Sequence, residues 1–239
     1  ADITLATSYT DAENFRKNGA NAFCITNGFD VDASTTLSMT EENSKTLPLS
    51  NSTTKFTLSY IGVLEQLRNP EILWETLNDL VQENADFKND FQLKFVGRLD
   101  DKILQKIESS PLKNNLTNLG YQTHDVALKH MQDSTVLLMT NFPEESSKGI
   151  IPGKIFEYLA TGKTILSFGP KDADVEKILN ETKAGKHFGY DEKENLKNFI
   201  LESYQNWKSG TLNQNAENIE QFSRKNLTQK LVDLMNKWF

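Results

Sequence analysis

Cysteine is nearly absent from this chain: Cys24 stands alone among 239 residues. An internal disulfide and a thiolate zinc site are both excluded. Histidine is scarce too, and His124, His130 and His187 show no metal-ligand spacing such as HExxH. Long hydrophobic runs are missing; STVLLMT at 134–140 is strand-sized, far below the ~20 residues a bilayer crossing needs. A soluble protein with no transmembrane segment is expected. Positive charge is in deficit, with 26 Lys and Arg against 33 Asp and Glu and a net charge of −7. That balance argues against a nucleic-acid partner, which would require a basic surface. Three nucleotide and nucleophile signatures are also absent. No GxGxxG follows an apolar run, and no GxSxG occurs. Gly162-Lys163-Thr164 resembles the tail of a phosphate loop, but the first glycine of that motif would fall at Glu157.

What remains is ample for a folded core: 37% of the residues are hydrophobic and 10% aromatic. The length suits one large domain or two small ones. At the start, ITLAT, a helix-like SYTDAENFRKNGA and AFCIT form a strand–helix–strand unit closed by Asn27-Gly28. From 34 to 55 half the residues are Ser or Thr with no helical period, which predicts a linker. Beyond it, apolar strands at KFTLSYIG, FQLKFVG, NLTNLGY, STVLLMT, KTILSFG and KAGKHFGY alternate with amphipathic helices. Such alternation predicts an α/β fold with a doubly wound parallel sheet. The chain opens Ala1-Asp2-Ile3-Thr4 without an initiator Met, and a piece of a longer protein is expected.

In a doubly wound sheet, ligands lie where strand ends feed helix starts, so the polar residues closing each strand matter most. Pro152-Gly153 opens a helix with Lys154 in its first turn and Glu157 three residues on. A donor-rich loop, an ammonium and a carboxylate suit a nucleotide: phosphates to the loop, ribose hydroxyls to the carboxylate. A capped surface helix with a solvated Lys/Glu pair is the plainer alternative. His124 and the Asp100-Asp101 pair are read as helix-opening residues, and Trp74, Trp207 and Trp238 as core.

Gly153-Lys154-Ile155-Phe156-Glu157-Tyr158-Leu159-Ala160, followed by Thr161-Gly162-Lys163, resembles the donor-sugar motif of GT-B glycosyltransferases of the large retaining family 4. Ile25-Thr26-Asn27-Gly28-Phe29-Asp30 is similar to the segment ending that family's N-terminal domain. Ser59-Tyr60-Ile61-Gly62 with Arg68-Asn69-Pro70, Phe95-Val96-Gly97 and Leu119-Gly120-Tyr121 resemble its successive strand ends. Phe222-Ser223-Arg224 resembles its final crossing helix.

The resemblance implies a Rossmann-like GT-B C-terminal domain at 56–239, a linker at 34–55 and a βαβ remnant of the acceptor domain at 1–33. It implies that Glu157 binds ribose, that Arg68 contacts the diphosphate, and that Gly120, Tyr121 and Gln122 hold the base. Gly153 and Lys154 would lie near the sugar and distal phosphate. Gly62 and Gly97 close the strands beneath the donor, and Arg98 would add charge. No catalytic residue is assigned. Two positions depart from the family pattern: Val63 stands where an Arg is common, and Gly149 where the first Glu of a spaced pair is expected. The implied partner is a nucleotide-diphosphate sugar, together with the missing N-terminal domain, and neither a metal nor another cofactor is expected. Transfer to an acceptor hydroxyl in surface polysaccharide or lipopolysaccharide synthesis follows by analogy, in the cytoplasm or peripherally at the inner membrane face through the missing half. A nucleotide-sugar epimerase of the same fold and a non-catalytic sugar-nucleotide-binding domain stay open as alternatives.

Overall fold

The computed structural model describes residues 2–30, 55–212 and 216–238. The expected linker therefore lies outside the described residues except for Lys55, and so does the side chain of Trp238.

Two sheets organise the described residues. A small parallel pair joins β1 (Thr4–Ala6) to β2 (Ala22–Cys24) across helix α1 (Tyr9–Lys17). Ser8 caps α1 by accepting from the Asp11 amide at 3.1 Å, and Gly19 turns the chain afterwards at φ +84°.

The main sheet is built from β3 (Phe56–Ile61), β4 (Phe91–Val96), β5 (Leu116–Asn118), β6 (Val136–Thr140), β7 (Thr164–Phe168) and β8 (Gly185–Phe188). Its order is β5-β4-β3-β6-β7-β8, and every pair is parallel. The direction of winding reverses between β3 and β6, which places a ligand crevice beyond the ends of these two strands. Helices α2 (Glu71–Glu83), α3 (Ala85–Asp90), α4 (Asp101–Glu108), α5 (His124–Gln132), α6 (Lys154–Ala160), α7 (Asp174–Thr182), α8 (Lys193–Lys208) and α9 (Arg224–Trp238) complete the chain.

Strand–helix alternation breaks at α3, and again at the end of the chain, where α9 follows α8 without a strand. The period of α2 runs out at Asn84, whose side chain accepts from the Phe87 amide at 3.0 Å and starts α3 at once. α3 spans only six residues and buries a single side chain, Phe87, so it leaves little helical period in the sequence.

Central strands covered on both faces should be apolar throughout, and β3 and β6 are buried at every position. One face packs Trp74, Leu77, Phe87 and Tyr204 against Phe56 and Phe95. The other packs Ile155, Phe156, Leu159 and Ile178 against Leu137 and Met139. Each such side chain contributes roughly 1.5–3 kcal/mol through loss of water contact. Trp74 is a core residue as expected, and its indole N–H finds Asn69 Oδ1 at 2.6 Å. Trp207 packs half-buried against Phe56 and Tyr204.

The small unit sits on the main one. Phe29 pairs with Ser223 in a single parallel bridge, so its segment runs beside the start of α9. A side chain at Gly28 would place its Cβ 2.2 Å from the Phe222 carbonyl oxygen, which demands glycine there.

Candidate functional site

The crevice at the winding reversal holds a cavity of about 550 Å³. Its floor is backbone. Gly62 and Gly97 end β3 and β4 at φ +119° and +124°, values that L side chains rarely adopt. Their amides extend the ladder past the strands: Gly62 donates to the Val96 carbonyl and Gly97 to the Gly120 carbonyl, both at 2.7 Å. A Cβ on Gly97 would meet the Gly62 carbonyl oxygen at 2.2 Å, so the two strand ends approach as closely as backbones can.

Arg68 enters from the short turn after β3. Its Nη2 donates to the Val63 carbonyl at 3.1 Å and to Glu65 at 3.2 Å, and its guanidinium lies over the Phe142 ring. Its Nε is buried without a partner. Lys154, at the start of α6, holds the opposite wall. Its ammonium donates to the Ile61 carbonyl at 3.3 Å and sits 4.1 Å from the centre of the Tyr60 ring. Burial lowers the Lys154 pKa, and the nearby Arg68 charge pushes the same way, while Tyr60 and Glu157 oppose the shift. Two cations close enough to repel, one with an unused donor, make a site that favours an anion.

Glu157, one turn beyond Lys154, lines the same cavity and also a second one of about 720 Å³. His124 is likewise shared, exposed at the start of α5 on the rim between them. The second cavity lies between the Ile25–Asp30 segment, α5, α6 and α9. Beneath α6, Tyr158 is fully buried, accepts from the Ile61 amide at 3.3 Å and donates to the Leu138 carbonyl at 3.4 Å. It thereby ties α6 to β3 and β6.

Of the residues singled out in the sequence, the structure brings Gly62, Arg68, Gly97, Tyr121, Gln122, Lys154 and Glu157 to the first cavity. Gly153 lines the second instead. Gly120 lies below, with its carbonyl bonded to Gly97. Arg98 is exposed and lines neither cavity; its carbonyl accepts from Leu64 at 2.9 Å. Tyr121 is 86% exposed at the mouth, a large aromatic face without cover. The amides at the start of α6 are partly spent, since Ile155 and Phe156 close tight turns onto the Pro152 and Gly153 carbonyls. Asp100 is a helix cap, accepting from the Lys102 amide at 2.9 Å. Among the described residues, no group of three or more His, Cys, Asp or Glu is placed to hold a metal ion.

Tyr60 and Tyr158, which position Lys154 and α6, stood within the resembling segments but were given no role of their own. The aromatic alternation around β3 carries no sign that a ring will face a lysine more than ninety residues away.

No protein-family model matches the sequence, and no curated protein is significantly similar to it. Solved structures do match. TarM of S. aureus, a mutant in complex with Fondaparinux, α-GlcNAc-glycerol and UDP, superposes with a TM-score of 0.67 at 17% identity, over 98% of this chain and 44% of its own. HepE of Anabaena in complex with UDP-glucose gives 0.68 at 18% identity, over 99% and 64%. The lipopolysaccharide outer core galactosyltransferase WaaB gives 0.68 at 13% identity, over 100% and 63%. The chain has the fold of a GT-B glycosyltransferase domain. It spans between 44% and 64% of the length of these three proteins. The GT-B likeness is one of fold, and it covers the small β1–α1–β2 unit as well as the main sheet. No described helix is long and apolar enough to cross a membrane.

Proposed function

We propose that this chain is the nucleotide-sugar-binding part of a glycosyltransferase that moves a sugar from a nucleotide diphosphate donor to an acceptor hydroxyl. The observation that carries this reading is a glycine-floored cavity with Arg68 on one side and, on the other, Lys154 and the Glu157 carboxylate from α6. The GT-B fold supports it, and so do two of the solved structures named above, TarM with UDP and HepE with UDP-glucose. In this reading residues 56–239 form the donor domain, residues 1–33 belong to an acceptor domain, and the segment between them is a linker.

The diphosphate would lie between Arg68 and Lys154, the ribose hydroxyls at Glu157, and the base against Tyr121 and Gln122. When the bond from the anomeric carbon to the phosphate oxygen breaks, negative charge gathers on the leaving diphosphate. Arg68, Lys154 and the Gly153–Lys154 amides would stabilise it in a partly dry site, which is electrostatic catalysis that needs no metal. The acceptor oxygen forms the new bond and passes its proton to the departing diphosphate oxygen. A cytoplasmic setting, with retention of anomeric configuration and a role in surface polysaccharide synthesis, goes with the family 4 resemblance. The likeness to the galactosyltransferase WaaB favours sugar transfer over the epimerase alternative.

Titration calorimetry with UDP, GDP, ADP, UDP-glucose and uridine tests the reading. Diphosphates should bind, and one base should be preferred. Absence of heat and of thermal stabilisation with every nucleotide would overturn it.

A further inference from the structure

Asp174, the first residue of α7, is fully buried, and the proposed chemistry makes no use of it. Its carboxylate accepts from the Thr10 amide and from the Thr10 hydroxyl, each at 2.9 Å, and pairs with Lys177 at 3.0 Å. Its own amide donates to the Lys148 carbonyl at 2.9 Å. One residue thus binds the first turn of α1 with its side chain and the loop leading to α6 with its backbone.

The two contacts meet at Gly149. A Cβ there would stand 3.2 Å from both Ser8 Oγ and Thr10 Cβ, so the first turn of α1 rests directly on this loop. This close cover accounts for a glycine where the resemblance leads one to expect a glutamate. The loop is held from its other side by Asn141, whose amide donates to the Ile150 carbonyl at 2.9 Å. Four and five residues after Gly149 come Gly153 and Lys154, the phosphate end of the proposed donor site. A buried carboxylate left without its donors is costly, so the Thr10 contact has a strong preference for staying closed.

We infer that Asp174 is a positioning residue: by clamping α1 onto the 148–150 loop, it holds the phosphate-binding end of the cavity in its binding geometry. This rests on the proposed donor-site reading. The clamp makes docking of the small unit and binding of a diphosphate two events that favour each other.

Asp174→Asn and the milder Thr10→Val, which keeps the side-chain shape and the amide bond, test it. Each is read by hydrogen exchange of the α1 amides and by calorimetry with UDP and with uridine. Exchange across Tyr9–Lys17 should quicken in both. UDP should bind about fivefold or more weakly in Asp174→Asn and by a smaller factor in Thr10→Val, at the low end of usual coupling between sites. Uridine, which lacks the phosphates, should bind unchanged, a split that general loss of stability would not produce. If Asp174→Asn does not fold, Thr10→Val decides alone. Faster α1 exchange with an unaltered UDP-to-uridine ratio would overturn the positioning role, and unaltered exchange would overturn the clamp. Failure of the parent protein to bind UDP would strike the donor-site reading itself, while α1 exchange still reports on the clamp.

Discussion

The two walls of the first cavity are made of different material. The β3–β4 wall is backbone: Gly62 and Gly97 in conformations reserved for glycine, joined through amides that prolong the sheet. The α6 wall is side chain: Lys154 and Glu157 on one face of a short helix, with Tyr158 fastening that helix to β3. A backbone wall serves fold and site together, so damage to it reaches the whole domain. A side-chain wall keeps its packing residues apart from its binding residues. Ile155, Phe156 and Leu159 face the core while Lys154 and Glu157 face the cavity.

The largest expected effect breaks the first wall. Gly97→Ala adds a Cβ into the Gly62 carbonyl and forces an alanine to φ +124°. Strain and overpacking together should cost about 3 kcal/mol or more. Gly62→Ala shares the unfavourable φ, but its Cβ would meet only the Lys154 ammonium, at 3.8 Å. It should cost about 1–2 kcal/mol less than Gly97→Ala, since the overpacking term is absent. Denaturant midpoints of the two variants check the order; equal losses would mean that backbone strain alone governs this wall.

Substitutions at side chains should spare stability and change binding. Arg68→Ala should weaken UDP binding by about 1.5–3 kcal/mol, the range for hydrogen bonds to charged groups, and leave uridine binding alone. A variant that still prefers UDP to uridine would shift the phosphate contact to Lys154. Glu157→Gln keeps size and loses charge. It should cost about 1–2 kcal/mol for UDP and for uridine alike, because both carry the ribose hydroxyls. An effect on UDP only would move Glu157 from ribose to the phosphate end.

These differences in material also decide what could be read from the sequence. All six strands of the main sheet and their glycine closures were legible, because buried parallel strands are apolar runs and Gly62 and Gly97 stand right at their ends. Lys154 and Glu157 were legible through local spacing on one helix. Arg68 was singled out only through its resemblance to a family position, and the orphaned Nε that makes it a phosphate candidate is a packing result. Arg98, at a strand end just past Gly97, was expected to add charge to the phosphate pocket; the chain turns it outward to solvent instead. Asp174 was not singled out in the sequence. Its partner Thr10 lies 164 residues earlier, and no local pattern links them.

The smallest effect sharpens the contrast within the second wall, where Lys154 is charged and buried at once. Burial lowers its pKa in the free protein. A bound diphosphate would favour the ammonium and raise the pKa again, so at a pH between the free and the bound value UDP binding should take up a proton. Affinity should therefore fall as pH rises through that window, by at most about tenfold per pH unit for one proton. The folding contribution has the opposite sense. The folded state holds this proton less tightly than the unfolded chain, so stability from Lys154 increases as pH rises through the folded pKa towards the unfolded one. Calorimetry at a series of pH values, each in two buffers of different ionisation heat, locates that window and measures the proton directly. Lys154→Arg, charged throughout this range, should abolish the uptake while keeping a measurable part of the affinity. Proton uptake that persists in Lys154→Arg would assign it to another group and leave Arg68 as the sole phosphate contact of the cavity.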